Sequence, residues 1–264
     1  MAAVAEQPTA PPRRRGESLN RRALRSLLRN HTALACFAVI ALYVAIALLG
    51  YAGLLPDFQE RVGTSYEAPS LSLSRLFGTD IFGRSILYKI LAGTQTAMTI
   101  GFIVTGISLP IGILLGALAG YYGGRVDAAI VWLYSVISSV PSILLIVGIS
   151  YVLEKGITAI CIALGAVSWV GLCRMIRGEV LKHRNREYVL AVRLLGAGDA
   201  IIIFRHILPN VVHLAIVTAS LLVLSAIKSE VILTFLGVGI QDGASWGTMI
   251  TDATGELVSG IWWP

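Results

Sequence analysis

Five stretches of this chain run for 18 residues or more without Asp, Glu, Lys or Arg: Asn30–Pro56, Ile90–Gly124, Ala128–Leu153, Gly156–Cys173 and His206–Ile227. A helix needs roughly 20 apolar residues to cross the hydrocarbon core of a bilayer. In lipid every backbone N–H and C=O must be paired internally, which leaves helices or closed barrels. The strand-length alternation of a barrel is absent, so the fold class is an all-α integral membrane protein with five predicted transmembrane helices. Composition agrees: 56% of the 264 residues are hydrophobic and 14% charged, which excludes a disordered chain or a coiled coil. Cys36, Cys161 and Cys173 sit in or beside apolar runs and read as small hydrophobes, since three cysteines cannot close a disulfide framework.

The second run is too long for one straight crossing, so an interfacial segment near Ile90–Gly93 followed by a helix over 94–121 is expected. Pro110 and Pro141 should kink the second and third helices, because each removes a donor and crowds the preceding turn. The first run follows basic residues, as an export signal does. At 27 residues it exceeds a signal's apolar region and no small-residue cleavage site follows, so it reads as an anchor.

Charge placement orients the bundle. With the amino terminus in the cytoplasm, residues 1–32, 123–127 and 174–209 carry seven, one and seven Lys or Arg on that side, against Arg61, Arg75, Arg84, Lys89 and Lys155 opposite. The positive-inside rule therefore places the amino terminus inside. Residues 1–32 read as a basic cytoplasmic arm on the anionic leaflet, and 33–264 as the transmembrane domain. The net charge of +6 carries no aromatic or motif support for nucleic acid.

The 36 residues from Arg174 to Pro209 are long for a connection and have their own pattern. Over Glu187–Leu195, Val189, Val192 and Leu195 recur at helical spacing. Gly196 and Gly198 then break the helix, and Asp199 is a candidate N-cap for a second helix over 200–208, before Pro209 restarts the chain into the fifth span. The pattern is a rigid helical knob on the cytoplasmic side.

Glu187-Tyr188-Val189-Leu190-Ala191-Val192-Arg193-Leu194-Leu195-Gly196-Ala197, followed by Phe204-Arg205-His206-Ile207-Leu208-Pro209-Asn210, resembles the EAA loop of ABC importer permeases. The Arg-His-Ile-Leu-Pro-Asn arrangement resembles the dipeptide and oligopeptide branch, as do Gly78-Thr79-Asp80-Ile81-Phe82-Gly83-Arg84, Glu230 to Gly239, and Ser245-Trp246-Gly247. Leu190 and Val192 stand where the general motif has Glu and Ala, and Ser85 where the branch often has Asp. The chain is similar to a C-type subunit with the type I permease fold. The resemblance implies a homologous B-type permease partner, two ATPase subunits below carrying ATP and Mg, and an extracytoplasmic solute-binding protein above. It also implies a multi-pass location in the bacterial cytoplasmic membrane. Glu187, Tyr188, Val189, Ala191, Val192, Arg193, Leu195, Gly196, Ala197, Asp199, Arg205, His206 and Pro209 are the implied ATPase-coupling residues. The same pattern carries peptides, nickel or other solutes, with specificity assigned mostly to the binding protein. The sequence stops at Trp262-Trp263-Pro264, where the family pattern begins a sixth helix; if complete, it ends outside after five spans.

No G-x-x-x-x-G-K-[ST] phosphate loop occurs, so ATP hydrolysis is expected from separate chains and this one is expected to be no enzyme. His31, His183, His206 and His213 are scattered without carboxylates or cysteines at ligand spacing, so neither metal nor cofactor is expected here. Ser108, Ser138, Ser139 and Ser142 lack a partnered base. Gly112, Gly116 and Gly120 form a small-residue face, for packing within the subunit or against the partner permease. Lys228 and Glu230 either serve as interfacial or structural anchors or stand beside the translocation path as an outer gate. Asp80 and Arg84, four apart, either pair to hold an amphipathic helix on the outer surface or contact the binding protein. The rival class is an autonomous secondary carrier or channel, which should show paired repeats and charges at mid-membrane; neither is evident, nor does such a class explain the knob.

Overall fold

The computed structural model describes residues 27–240 and 243–264; most of the basic arm therefore lies outside the described residues. These form helices and turns, with two isolated β-bridges, Arg61 to Arg84 and Thr79 to Ser85. Packing divides the chain into residues 1–44 and 45–264. Helix α1 (His31–Tyr51) begins where Asn30 Oδ1 accepts the N–H groups of Thr32 and Ala33 at 3.1 and 3.3 Å.

Helix α2 (Ile86–Tyr122) is one 37-residue element, about 55 Å long at ~1.5 Å per residue. The separate interfacial segment expected at Ile90–Gly93 is instead its second turn. Helical geometry starts earlier than the charge pattern suggested because Ser85 caps it, its hydroxyl accepting the Tyr88 N–H at 3.4 Å, and because Lys89 is buried on a partner. Pro110 lies inside the helix, which continues through it. Along the glycine face, α2 packs on α5 (Ile157–His183). A Cβ at Gly112 would sit 2.9 Å from Leu172, and at Gly116 or Gly120 2.7 Å from the carbonyl oxygens of Cys173 and Arg177. Of the two readings of that face, packing within the subunit is the one seen.

Pro141 does more than kink a span. It separates α3 (Gly124–Ser138) from α4 (Ser142–Val152), and the two are bent by 85°. Proline offers no N–H and disfavours the helical conformation for the residue before it, so the break falls between Ser138 and Ser142. Four described helices are long and apolar enough to cross a membrane, or five if this broken pair counts as one span. The fourth run is longer than its charge-free stretch, since α5 continues past Cys173 to His183.

After α5 come α6 (Glu187–Leu194) and α7 (Asp199–Phe235), the latter starting ten residues before the expected restart at Pro209. Helix α7 stays continuous by widening to a π-helix over Ile202–Ile207. Pro209 cannot donate to the Arg205 carbonyl and its ring crowds that oxygen; the Leu208 N–H reaches back to Ile203 instead. Asn210 Nδ2 donates to the His206 carbonyl at 2.6 Å. The last helix, α8 (Trp246–Val258), opens with a reciprocal capping box between Ser245 and Thr248. The core joins α2, α4, α5 and α7 through Ile100, Val104, Ile146, Ile160, Leu164 and Leu233.

Candidate functional site

The 174–209 segment folds as a helix, a glycine turn and a second helix, and its apolar residues divide between two faces. Val189 is fully buried, and Tyr188, Val192 and Ala197 pack beside it on Val180, Ile202, Ile203, Ile207 and Val211. Tyr188 also shares a 2.9 Å hydrogen bond with His183 Nδ1. The stripe read from helical spacing thus holds the knob to its own subunit. The opposite face is open: Leu190 and Ala191 are exposed, Leu194 and Leu195 are 88% and 86% exposed, and Ile201 and Phe204 continue the patch. Glu187, Arg193 and Arg205 border it in solvent, and His206 is half-buried. Pro209 lines an apolar cavity with Phe204, Leu208, Ile113 and Ile176.

Gly196 makes the turn at φ +81°, where L side chains are strained. A Cβ there would meet nothing within 4 Å, so the requirement is conformational rather than steric. Asp199 is not the N-cap: Gly198 occupies that position in extended geometry, and Asp199 is the first helical residue. Its carboxylate accepts the Tyr121 hydroxyl at 2.6 Å instead, and Tyr121 in turn accepts from Arg193 Nη2 at 3.2 Å. Beside these, Arg177 makes a bidentate pair with Asp127, and Arg184 Nη1 donates to the Gly120 carbonyl at 3.3 Å. Neither Tyr121 nor Asp127 was legible as part of the site, because their partners lie 78 and 50 residues away and only the bundle brings them together.

At the Ile86 end of α2, Asp80 is 1% exposed. It accepts the Phe82 and Arg84 N–H groups at 2.8 and 2.9 Å, Arg84 Nε at 2.8 Å and Lys89 Nζ at 2.6 Å. Asp80 and Arg84 do pair, but across a turn with Gly83 at φ +75° rather than along a helix. Burial disfavours the Asp80 charge, yet the Lys89 ammonium and the Arg84 N–H and guanidinium outweigh it and hold the carboxyl below its usual range. Burial pushes the Glu256 carboxyl up; Lys89 opposes this, while Asp252 and Asp80 add to it. A polar cavity opens here, lined by Gln59, Arg84, Lys89, Thr248 and Asp252.

Lys228 and Glu230 part company. Lys228 is exposed, whereas Glu230 is fully buried and accepts the Thr234 hydroxyl at 2.9 Å. Thr234 Oγ1 also accepts the Ile240 N–H at 3.1 Å, and Gly239 and Gly247 close round it so tightly that a Cβ on either would collide. Glu230 therefore organises the turn after α7; it does not face solvent as an interfacial anchor would.

A bundle of membrane-length helices that carries a short, turn-locked helical knob with an apolar face is the class of protein this geometry defines. The profile described as "Binding-protein-dependent transport system inner membrane component" matches residues 112–262. The chain is 34% identical over 242 residues, 91% of its length and 75% of the relative's, to the dipeptide transport system permease protein DppC of Bacillus subtilis. It is 37% identical over 187 residues, 70% and 61% of the two lengths, to the oligopeptide transport system permease protein OppC of the same organism. Among solved structures, the MetNI methionine ABC transporter in an inward facing form is similar at a TM-score of 0.45 and 20% identity, over 55% of this chain and 71% of that one. The chain belongs to the inner membrane permeases of binding-protein-dependent ABC importers, and within them it is related to the C-type peptide permeases.

Proposed function

We propose that this chain forms half of the translocation pathway of an ATP-driven importer for dipeptides or oligopeptides. It pairs with a homologous B-type permease. Two ATPase subunits, which hold the ATP and Mg, bind beneath the knob, and a solute-binding protein delivers cargo to the opposite side. The amino terminus and the 174–209 loop face the cytoplasm, as the distribution of Lys and Arg favours. The peptide class rests on the names of the relatives.

The observation that carries the coupling reading is the exposed apolar face of Leu190, Leu194, Leu195, Ile201 and Phe204. Helix α6 has eight residues, far too few to span; Arg193 lies within it and Arg184 and Arg186 just precede it, so its apolar face is not seated in the hydrocarbon core. Full burial of a leucine contributes about 1.5–3 kcal/mol, enough for two of them to decide whether a partner stays bound.

Replacing Leu194 and Leu195 with Asp should abolish co-purification of the ATPases and peptide uptake while membrane insertion continues. Gly196→Arg should weaken both through backbone strain of about 1–3 kcal/mol, since the space around it is open. Lys182→Ala, which removes an exposed pair with Glu179, should change little. Normal ATPase recruitment by the Leu194→Asp, Leu195→Asp chain would overturn the coupling role.

A further inference from the structure

Three groups meet at one hydroxyl. Tyr121 lies one residue from the end of α2, is buried among Val180, Val189 and Ile202, and turns its oxygen toward the knob. Arg193, from the helix before the Gly196 turn, donates to that oxygen, and its guanidinium lies over the Tyr121 ring, 5.6 Å from the centroid. Asp199, from the helix after the turn, accepts from it at 2.6 Å. The oxygen thus accepts from one side of the turn and donates to the other, in a charge-assisted chain in which each bond polarises the next.

The rest of α2 makes this attachment consequential. Its glycine face is locked against α5, and near its other end Lys89 is paired with Asp80. Gly93 there packs against Trp246, and the Thr96 hydroxyl donates to the Ala244 carbonyl at 2.9 Å. From Lys89 to Tyr121 is a single rod of about 48 Å at ~1.5 Å per residue.

We propose that the Tyr121 hydroxyl is a latch: it staples both sides of the Gly196 turn to α2, so that the α6 knob moves with α2 as a unit. Tyr121 is a positioning residue that touches neither cargo nor ATPase. The inference rests on the reading of the 174–209 loop as the coupling element and adds the connection that makes the coupling stiff.

The test uses the complete transporter, both permeases and both ATPases, in nanodiscs with its solute-binding protein and a mixture of dipeptides and oligopeptides. The readouts are ATPase co-purification and the ratio of stimulated to unstimulated ATP hydrolysis. Tyr121→Phe keeps the ring in its apolar cluster and removes only the oxygen. It should retain ATPase recruitment and lose stimulation by about fivefold or more, since two net hydrogen bonds go with the oxygen. Asp199→Ala, which frees one side of the turn only, should also lower the stimulation, by less. Asp199→Asn, which keeps an acceptor oxygen, should restore most of the stimulation. The double variant Tyr121→Phe, Asp199→Ala should be no worse than Tyr121→Phe alone, because the hydroxyl already takes part in both bonds. Full stimulation with Tyr121→Phe, additive losses in the double variant, or no rescue by Asn would each overturn the latch. So would loss of ATPase recruitment with Tyr121→Phe, which would mark a fold or docking role. A wild-type chain that recruits no ATPase contradicts the coupling reading itself, and the latch falls with it.

Discussion

Asp80 gathers four donors while almost wholly buried, and removing it would strand two backbone N–H groups and leave the buried Lys89 without its closest partner. Breaking a buried pair from one side costs about 3–5 kcal/mol. Asp80→Ala should therefore loosen residues 57–85, seen as new protease sites there, with the helices still in the membrane. The pH dependence has a definite sign. The folded carboxyl titrates below its unfolded value of about 3.9, so its stabilisation is fully present above that value and lost as the pH falls through the folded one. Pepsin cleavage within 57–85 should begin only below about pH 4 in the native chain; in an Asp80→Asn chain it should occur already at about pH 5. Cleavage of both chains alike at about pH 5 would show that the carboxylate does not hold this loop.

At the scale of elements, the turn between α7 and α8 depends on glycines closing round Thr234. A Cβ at Gly247 would lie 2.6 Å from that of Thr234 and 3.1 Å from the Val231 carbonyl. Gly247→Val should displace α8 by overpacking, at a cost of about 1–3 kcal/mol. Labelling of a cysteine placed at Ala253, near Ile90 and Trp246 in an apolar cavity, should rise sharply. Unchanged labelling would mean that the turn is loose enough to absorb a side chain. The sequence revealed these elements unevenly, and for physical reasons. Charge-free runs located the membrane helices, since lipid tolerates few alternatives, but their ends escaped the pattern. Helix α5 carries Arg177 and Glu179, and α7 begins at Asp199; polar residues paired with neighbours do not stop a helix. The Gly196 turn was legible because few residues other than glycine adopt φ +81° cheaply. The orientation of α6 was not. Val189, Val192 and Leu195 share a helical spacing, yet Val189 is in the core and Leu195 in solvent, a division decided by where α5 and the π-turn lie. For the same reason Tyr121, whose partners come from a distant segment, left no local signal.

Residues 45–264 read as a membrane bundle with an ordered cluster round Asp80 at one end of α2 and a turn-locked knob at the other. The proposed orientation places most of the Lys and Arg in the cytoplasm, so a reporter fused after Arg186 should be cytoplasmic and one fused near Ser70 exported. A Ser70 fusion found in the cytoplasm would invert the arrangement. The central claim, that the open face of α6 is where separate ATPases attach, is tested most directly by site-specific cross-linking in native membranes. A photoreactive residue at Leu194, which is 88% exposed, should give an adduct with an ATPase subunit, and one at the buried Val189 should give none. Absence of an ATPase adduct from Leu194, or equal adducts from both positions, would contradict the account.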